Sequence, residues 1–211
     1  LGTLMGHPSS ILAVKFSPDG QYLVSGGYDQ VIKIWRLETQ TCGVTLTAHS
    51  NRIWSVDFSQ EGQLLATGGD DCTVKIWDWQ KQICLQTLVG HSNQILSVLF
   101  SGDGQSLFSA SGDNTIKIWD IKTGTCLHTL TGHSNWVSTL QEDGDRQWLL
   151  SASNDETIRI WDKNGQDSPY CRRTLRTIRP YEGMKIAHVR NLTEAQQATL
   201  SALGAISDLT A

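Results

Sequence analysis

Histidine recurs every 42 residues along this chain, at His7, His49, His91 and His133. An aspartate follows each one 22 residues later, at Asp29, Asp71, Asp113 and Asp155, and a tryptophan closes each copy at Trp35, Trp77, Trp119 and Trp161. Self-similarity at a period of about 20–50 residues belongs to solenoids, propellers and arrays. The repeat therefore limits the fold before any other feature is read.

Inside each copy the apolar spacing is that of strands. The stretches Val31–Trp35, Val74–Trp77, Ile116–Trp119 and Ile158–Trp161 alternate β-branched with basic residues. Side chains at period two face opposite sides of a half-buried strand. Turn signals such as Ser17-Pro18-Asp19-Gly20, Gly102-Asp103-Gly104 and Lys122-Thr123-Gly124 separate these runs. Each copy then holds four strands: one after the histidine (Ile11–Phe16), one at 22–26, one ending at the tryptophan, and one ending in Thr-Leu. Those endings are Thr45-Leu46, Thr87-Leu88, Thr129-Leu130 and Thr174-Leu175.

Gly6-His7, Gly90-His91 and Gly132-His133, with Trp77-Asp78, Trp119-Asp120 and Trp161-Asp162, resemble the WD repeat of β-propellers. The resemblance covers residues 1–177, with repeats starting near 6, 48, 90 and 132; residues 178–211 form a C-terminal extension. It implies an all-β propeller of four-stranded antiparallel blades. Three departures stand out: Trp35-Arg36 for Trp-Asp, Ala48-His49 for Gly-His, and Glu142-Asp143 where the other copies have Phe16-Ser17, Phe58-Ser59 and Phe100-Ser101. Loss of that aromatic predicts that blade four is the least well packed.

Ser25, His7 and Asp29 are also the residue types of a nucleophilic triad, as are Ser109, His91 and Asp113. A hydrolase built on a Ser-His-Asp set is the enzymatic alternative. The set occurs four times, with Thr67 for serine once and always with the tryptophan. It resembles the structural tetrad of WD repeats: His7, Ser25, Asp29, Trp35; His49, Thr67, Asp71, Trp77; His91, Ser109, Asp113, Trp119; His133, Ser151, Asp155, Trp161. The chain is accordingly expected not to be an enzyme.

The five cysteines do not alter this reading. Cys42, Cys84 and Cys126 are spaced by 42 and Cys171 takes the same place in copy four, so they fall at successive blade edges, too far apart for a disulfide. No Cys-x-x-Cys pair exists, and neither metal nor cofactor is expected. Free thiols suit a reducing cytoplasm, the expected location. The formal charge of −4 gives no support for nucleic-acid binding, and no apolar stretch of 18 residues suggests a membrane span.

Leu1–Leu4, ending Thr3-Leu4 before Gly6-His7, matches the end of a fourth strand. Five outer-strand segments for four sets of the other three strands point to a larger ring with blades upstream, in preference to a closed four-bladed one; WD propellers resemble seven-bladed rings most often. The first residue is not methionine, so the natural N-terminus is expected upstream. After Leu175, Thr193 and Gln196 form a capping box for a helix over 194–203, ended by Gly204. This tail resembles the extension that follows the last WD repeat in large cyanobacterial multidomain proteins, many with a STAND-type switch domain of the NACHT or NB-ARC kind. The chain itself has no phosphate-binding glycine loop.

The resemblance implies protein or peptide recognition: a sensor or scaffold propeller in signal transduction, with the alternative of an intramolecular clamp on upstream domains of the same polypeptide. WD propellers bind mostly through the rim carried by positions three and five after each histidine and the residue before each turn aspartate. Tyr28, Arg52, Trp54, Asp70, Leu96, Trp136 and Asn154 are the candidates so placed, and Trp, Tyr and Arg are the types enriched in hot spots. Expressed alone, the chain is expected not to close into a ring, and two copies could pair through the open faces.

Overall fold

The computed structural model describes residues 2–145, 147–163, 169–176 and 198–200. The chain divides into two compact units, Leu1–Leu175 and Arg176–Ala211. Most of the helix expected over 194–203 lies outside the described residues; residues 198–200 are helical.

Four sheets of four strands make up the first unit, each running in chain order. They are β1 (Ile11–Phe16), β2 (Tyr22–Gly27), β3 (Val31–Arg36) and β4 (Thr41–Thr47); β5 (Ile53–Phe58), β6 (Leu64–Gly69), β7 (Thr73–Asp78) and β8 (Ile83–Val89); β9 (Ile95–Phe100), β10 (Ser106–Ser111), β11 (Ile116–Asp120) and β12 (Cys126–Leu130); β13 (Val137–Glu142), β14 (Trp148–Ser153), β15 (Thr157–Asp162) and β16 (Tyr170–Arg176). These are the blades of an all-β propeller arc. Leu1 lies outside the described residues, and residues 2–4 belong to no strand.

Turn chemistry closes the first hairpin of each blade. Gly20, Gly62 and Gly104 adopt φ near 70° and donate their N–H to Ser17, Ser59 and Ser101 carbonyls at 2.8–2.9 Å. Each serine hydroxyl also accepts an N–H from the start of the second strand, at Tyr22, Leu64 and Ser106. In blade four the Asp143 carboxylate takes over that acceptor role for Trp148 N–H at 2.7 Å.

The core lies between sheets. Val24, Ile32, Ile34 and Leu46 of blade one pack with Ile53, Val56, Phe58, Leu65 and Trp77 of blade two. Val74, Ile76 and Leu88 meet Ile95, Val98, Phe100, Leu107 and Trp119 in the next interface. Phe108, Ile116, Ile118 and Leu130 meet Val137, Leu140, Leu149 and Trp161 in the third. The strands that follow each histidine, β1, β5, β9 and β13, pack one on the next and form the inner wall.

Blade four is the least well packed, as expected: among the described residues it has the fewest buried apolar side chains, Val137, Leu140, Leu149 and Trp161. Its side facing blade three nonetheless stays closed, with Val137 and Leu149 at 0% exposure. Glu142 pairs with Lys163 and accepts the Gly102 N–H at 2.7 Å, while the Lys163 ammonium lies 5.7 Å from the Phe108 ring centre. An ion pair thus occupies the volume that an aromatic fills elsewhere. Blade four is exposed only on its other side, and so is blade one on the side away from blade two.

Candidate protein interface

The tetrads assemble in all four blades. His7 Nε2 lies 2.7 Å from Ser25 Oγ and Nδ1 2.6 Å from Asp29; Trp35 Nε1 donates to Ser25 Oγ at 2.7 Å. The equivalent separations are 2.8–3.1 Å in blade two and 2.7–2.8 Å in blades three and four. An ionised carboxylate only accepts, so each neutral imidazole donates from Nδ1 and accepts at Nε2. The hydroxyl must then give its proton to Nε2 and receive the indole N–H. Each imidazole nitrogen, hydroxyl and indole N–H of these networks has a partner.

Electrostatics agree with that proton arrangement. Burial lowers the pKa of His91 and His133, outweighing the raising effect of Asp113 and Asp155. For Asp71, Asp113 and Asp155 burial acts the other way, yet hydrogen bonds from the histidine and from Thr73, Thr115 and Thr157 hold the carboxyls below their ordinary range. At His91 and His133 neutral imidazole beside ionised carboxylate is the favoured state. As a triad the set lacks access: Ser25, Thr67, Ser109 and Ser151 are 0–2% exposed, and each oxygen already holds an indole.

Blade one departs from the other three in a way the repeat frame passed over. Ser50, Ser92 and Ser134 donate their backbone N–H to the tetrad aspartate, and Thr73, Thr115 and Thr157 donate their hydroxyls. The corresponding residues in blade one are Pro8, which has no N–H, and Val31, which has no hydroxyl. Asp29 Oδ1 is consequently buried with no hydrogen-bond partner. Both substitutions were visible in the sequence; only the hydrogen-bond frame gives them meaning.

The tetrads position the rim. In every blade the N–H before the turn aspartate donates to the carbonyl three residues after the histidine: Tyr28 to Ser10, Asp70 to Arg52, Gly112 to Gln94 and Asn154 to Trp136, at 2.9–3.0 Å. A register shift in each inner strand skips Leu12, Trp54, Leu96 and Ser138 in turn. Such bulges re-aim a side chain out of the ladder. One bond and one bulge per blade thus carry the expected positions.

Of the seven candidates, four come together. The Arg52 guanidinium lies 4.5 Å from the Tyr28 ring centre and 3.8 Å from the Asp70 carboxylate, which accepts the Trp54 indole N–H. Trp54 is half-buried by that bond, so its polar edge is already occupied within the protein. Tyr28 at 39% and Trp136 at 42% present the largest free aromatic surfaces of the set. Asn154 is exposed and accepts the Ser138 hydroxyl at 2.8 Å beside Trp136. Leu96 is half-buried on β9 and joins neither group. The five cysteines are free, and no cluster able to hold a metal occurs among the described residues.

The model of the WD domain, G-beta repeat (WD40) matches residues 1–36, 40–78, 82–120 and 124–162. The chain belongs to the WD40 family. Each match ends at the residue after a blade's tryptophan, and the last three start just before the outer strand of the preceding blade. Single WD40 repeats relate the chain to long proteins. It is 50% identical over 42 residues to periodic tryptophan protein 2 homolog of Mus musculus, covering 20% of this chain and 5% of that protein. It is 51% identical over 41 residues to protein HIR1 of Kluyveromyces lactis, covering 19% and 5%. Identity reaches 61% over 33 residues of vegetative incompatibility protein HET-E-1 of Podospora anserina, covering 16% and 2%. WD40 repeats form protein-interaction modules, typically without catalysis. No helix among the described residues is long and apolar enough to cross a membrane.

Proposed function

We propose that this WD40 chain recognises a protein or peptide through the rim formed by Tyr28 and Arg52 on one side and Trp136 with Asn154 on the other. The observation that carries the reading is the exposure of Tyr28 and Trp136 on loops locked by the tetrads. Rigid aromatics lose little entropy on binding and dominate interface energetics. Asp70 and Trp54 then act mainly by holding Arg52 and the bulge in place. The wider reading makes the module a scaffold or sensor within a larger cytoplasmic signalling protein, of the STAND kind that the tail resembles. Upstream domains of the same polypeptide are then natural ligands, and an intramolecular clamp would use the same rim. The buried tetrad hydroxyls give no support to a hydrolase.

Peptides selected from a displayed library on the folded chain test the reading. Tyr28→Ala with Trp136→Ala should weaken a selected ligand by at least 2 kcal/mol, about 30-fold. The unfolding free energy from urea melts should stay within about 0.5 kcal/mol of the parent, as for surface substitutions. Ligands that bind the double variant unchanged would place the interface elsewhere.

A further inference from the structure

Blades two, three and four each press the second residue after their tryptophan against the preceding blade. Trp79 meets Tyr22, Ile121 packs on the core shared by blades two and three, and Lys163 lies over Phe108. The grooves beside these contacts are closed to different degrees. Between blades two and three, Gln86 Nε2 bridges the gap, donating to the Ile121 carbonyl at 2.8 Å and the Lys122 carbonyl at 3.3 Å. The groove between blades three and four, about 350 Å³, has Lys163 as its cation, already paired with Glu142. The groove between blades one and two, about 270 Å³, stays open. Val44 stands there at the repeat position of Gln86 and has no amide to bridge with. Tyr22, Ile34 and Trp79 form its apolar walls, and Arg36 and Gly43 complete the lining. Trp79 turns its polar edge inward, donating the indole N–H to the Gly62 carbonyl at 2.9 Å.

Two residues of this groove break the repeat, and packing asks for neither. Arg36 stands where the other blades have Asp78, Asp120 and Asp162. Asp78 and Asp120 close the following turn by accepting the backbone N–H of Lys81 and Thr123. Arg36 gives up that role. Its guanidinium lies 5.6 Å from the Tyr22 ring centre and donates to the Tyr22 hydroxyl at 3.1 Å, and it has no carboxylate partner among the described residues. Gly43 stands where blades two and three have Leu85 and Leu127, which are 48% and 49% exposed. It does not adopt a positive φ, and a Cβ there would meet only the Ile34 carbonyl oxygen, at 3.8 Å. A glycine that neither backbone nor neighbours require marks a place where another chain can approach closely. It lies on β4, the edge strand of its sheet, whose outer N–H and C=O groups are open to pairing.

We propose that this groove binds an extended peptide segment of a partner protein, in which a carboxylate-bearing residue stands beside an apolar one. The carboxylate meets the Arg36 guanidinium, which can hold it through two parallel hydrogen bonds. The apolar side chain lies against Tyr22 and Val44, in the space that Gly43 leaves. Charge selects this occupant, because Arg36 is a cation without an acid of its own in a groove otherwise lined by neutral side chains. Size agrees: sites for whole small molecules run about 300–1,000 Å³, so about 270 Å³ suits one or two side chains. Arg36 ends β3 and Gly43 begins β4, so the groove lies at the opposite end of the strands from Tyr28 and is separate from the rim.

Short random peptides displayed on phage and selected on the full chain test this, with synthetic copies titrated by fluorescence anisotropy. Gly43→Leu and Arg36→Asp install residues that the chain already carries at these repeat positions, so circular dichroism and urea melts should match the parent. Each should weaken groove ligands at least about tenfold. Rim ligands answer instead to Tyr28→Ala with Trp136→Ala, so failure at one site leaves the other readable. Groove ligands should carry Asp or Glu next to an apolar residue. Replacing that acid by its amide should weaken binding to the parent, and the amide peptide should bind parent and Arg36→Asp chains within about twofold of each other, since the two changes remove one contact. Selection that yields no peptide sensitive to Gly43→Leu would overturn the assignment. So would sensitive peptides without a carboxylate, or acid and amide forms that respond equally to Arg36→Asp.

Discussion

Asp29 is the residue at which the repeat is least complete. Its unpartnered Oδ1 lies where Thr73, Thr115 and Thr157 place a hydroxyl in the other blades. Leaving a buried acceptor unsatisfied costs about 1–3 kcal/mol. Val31→Thr, nearly isosteric, should raise stability by about 1 kcal/mol in urea melts; an unchanged or lower midpoint would show that the oxygen has another partner in solution. The tetrads also set an acid limit. His91 and His133 have folded pKa values below their ordinary 6.5, so their contribution is intact above pH 6.5 and declines as pH falls below it. Asp71, Asp113 and Asp155 lie below their ordinary 3.8, so a second loss begins under pH 3.8 and runs through their folded values. Denaturation midpoints between pH 7.5 and 3 should fall in that order, and a midpoint that rises from pH 7 to 5 would contradict neutral imidazoles.

Hairpins of the four blades show how one element tolerates different residues at a single conformation. Gln40, Gln82 and Gly124 share one repeat position in the turn after the third strand, with φ of 55°, 60° and 72°. A left-handed conformation costs a side-chain-bearing residue about 1–2 kcal/mol, partly offset because glycine gains freedom in the unfolded chain. Gln82→Gly should therefore stabilise by about 0.5–1 kcal/mol, read as a shift in thermal midpoint. The β13 end shows the opposite economy, with Glu142 and Lys163 side chains 10% and 14% exposed. Breaking a buried pair costs about 3–5 kcal/mol, whereas replacing both partners by apolar groups is often neutral. Glu142→Ala should be strongly destabilising, while Glu142→Phe with Lys163→Leu should retain parent stability; equal losses would mean that the site cannot repack.

On the scale of the whole molecule, stability is shared among interfaces between nearest neighbours, as expected of a repeat architecture. Three interfaces are buried and two half-interfaces are exposed. Blades two and three have neighbours on both sides and hold most of the fully buried side chains, so unfolding should start from blades one and four. Hydrogen exchange should show slowest amides in β6, β7 and β10, with β1 and β15 faster. Uniform protection across all sixteen strands would mean that the end faces are covered in solution.

The sequence by itself determined the number of repeats, the four strands of each, the tetrads and the all-β class, because each follows from local spacing repeated four times in register. It also placed the rim candidates, since their positions are counted from the histidines. Tertiary structure decided which of them are free. Trp54, five residues after its histidine, is bonded to Asp70 as Ser138 is to Asn154, whereas Trp136, three residues after its histidine, is open. It likewise decided that Glu142 is neutralised by Lys163, 21 residues away, and that Val14 and Phe16 are exposed while Val56 and Phe58 are not. Identical strand patterns carry no record of whether another blade stands beside them, and burial depends on that neighbour.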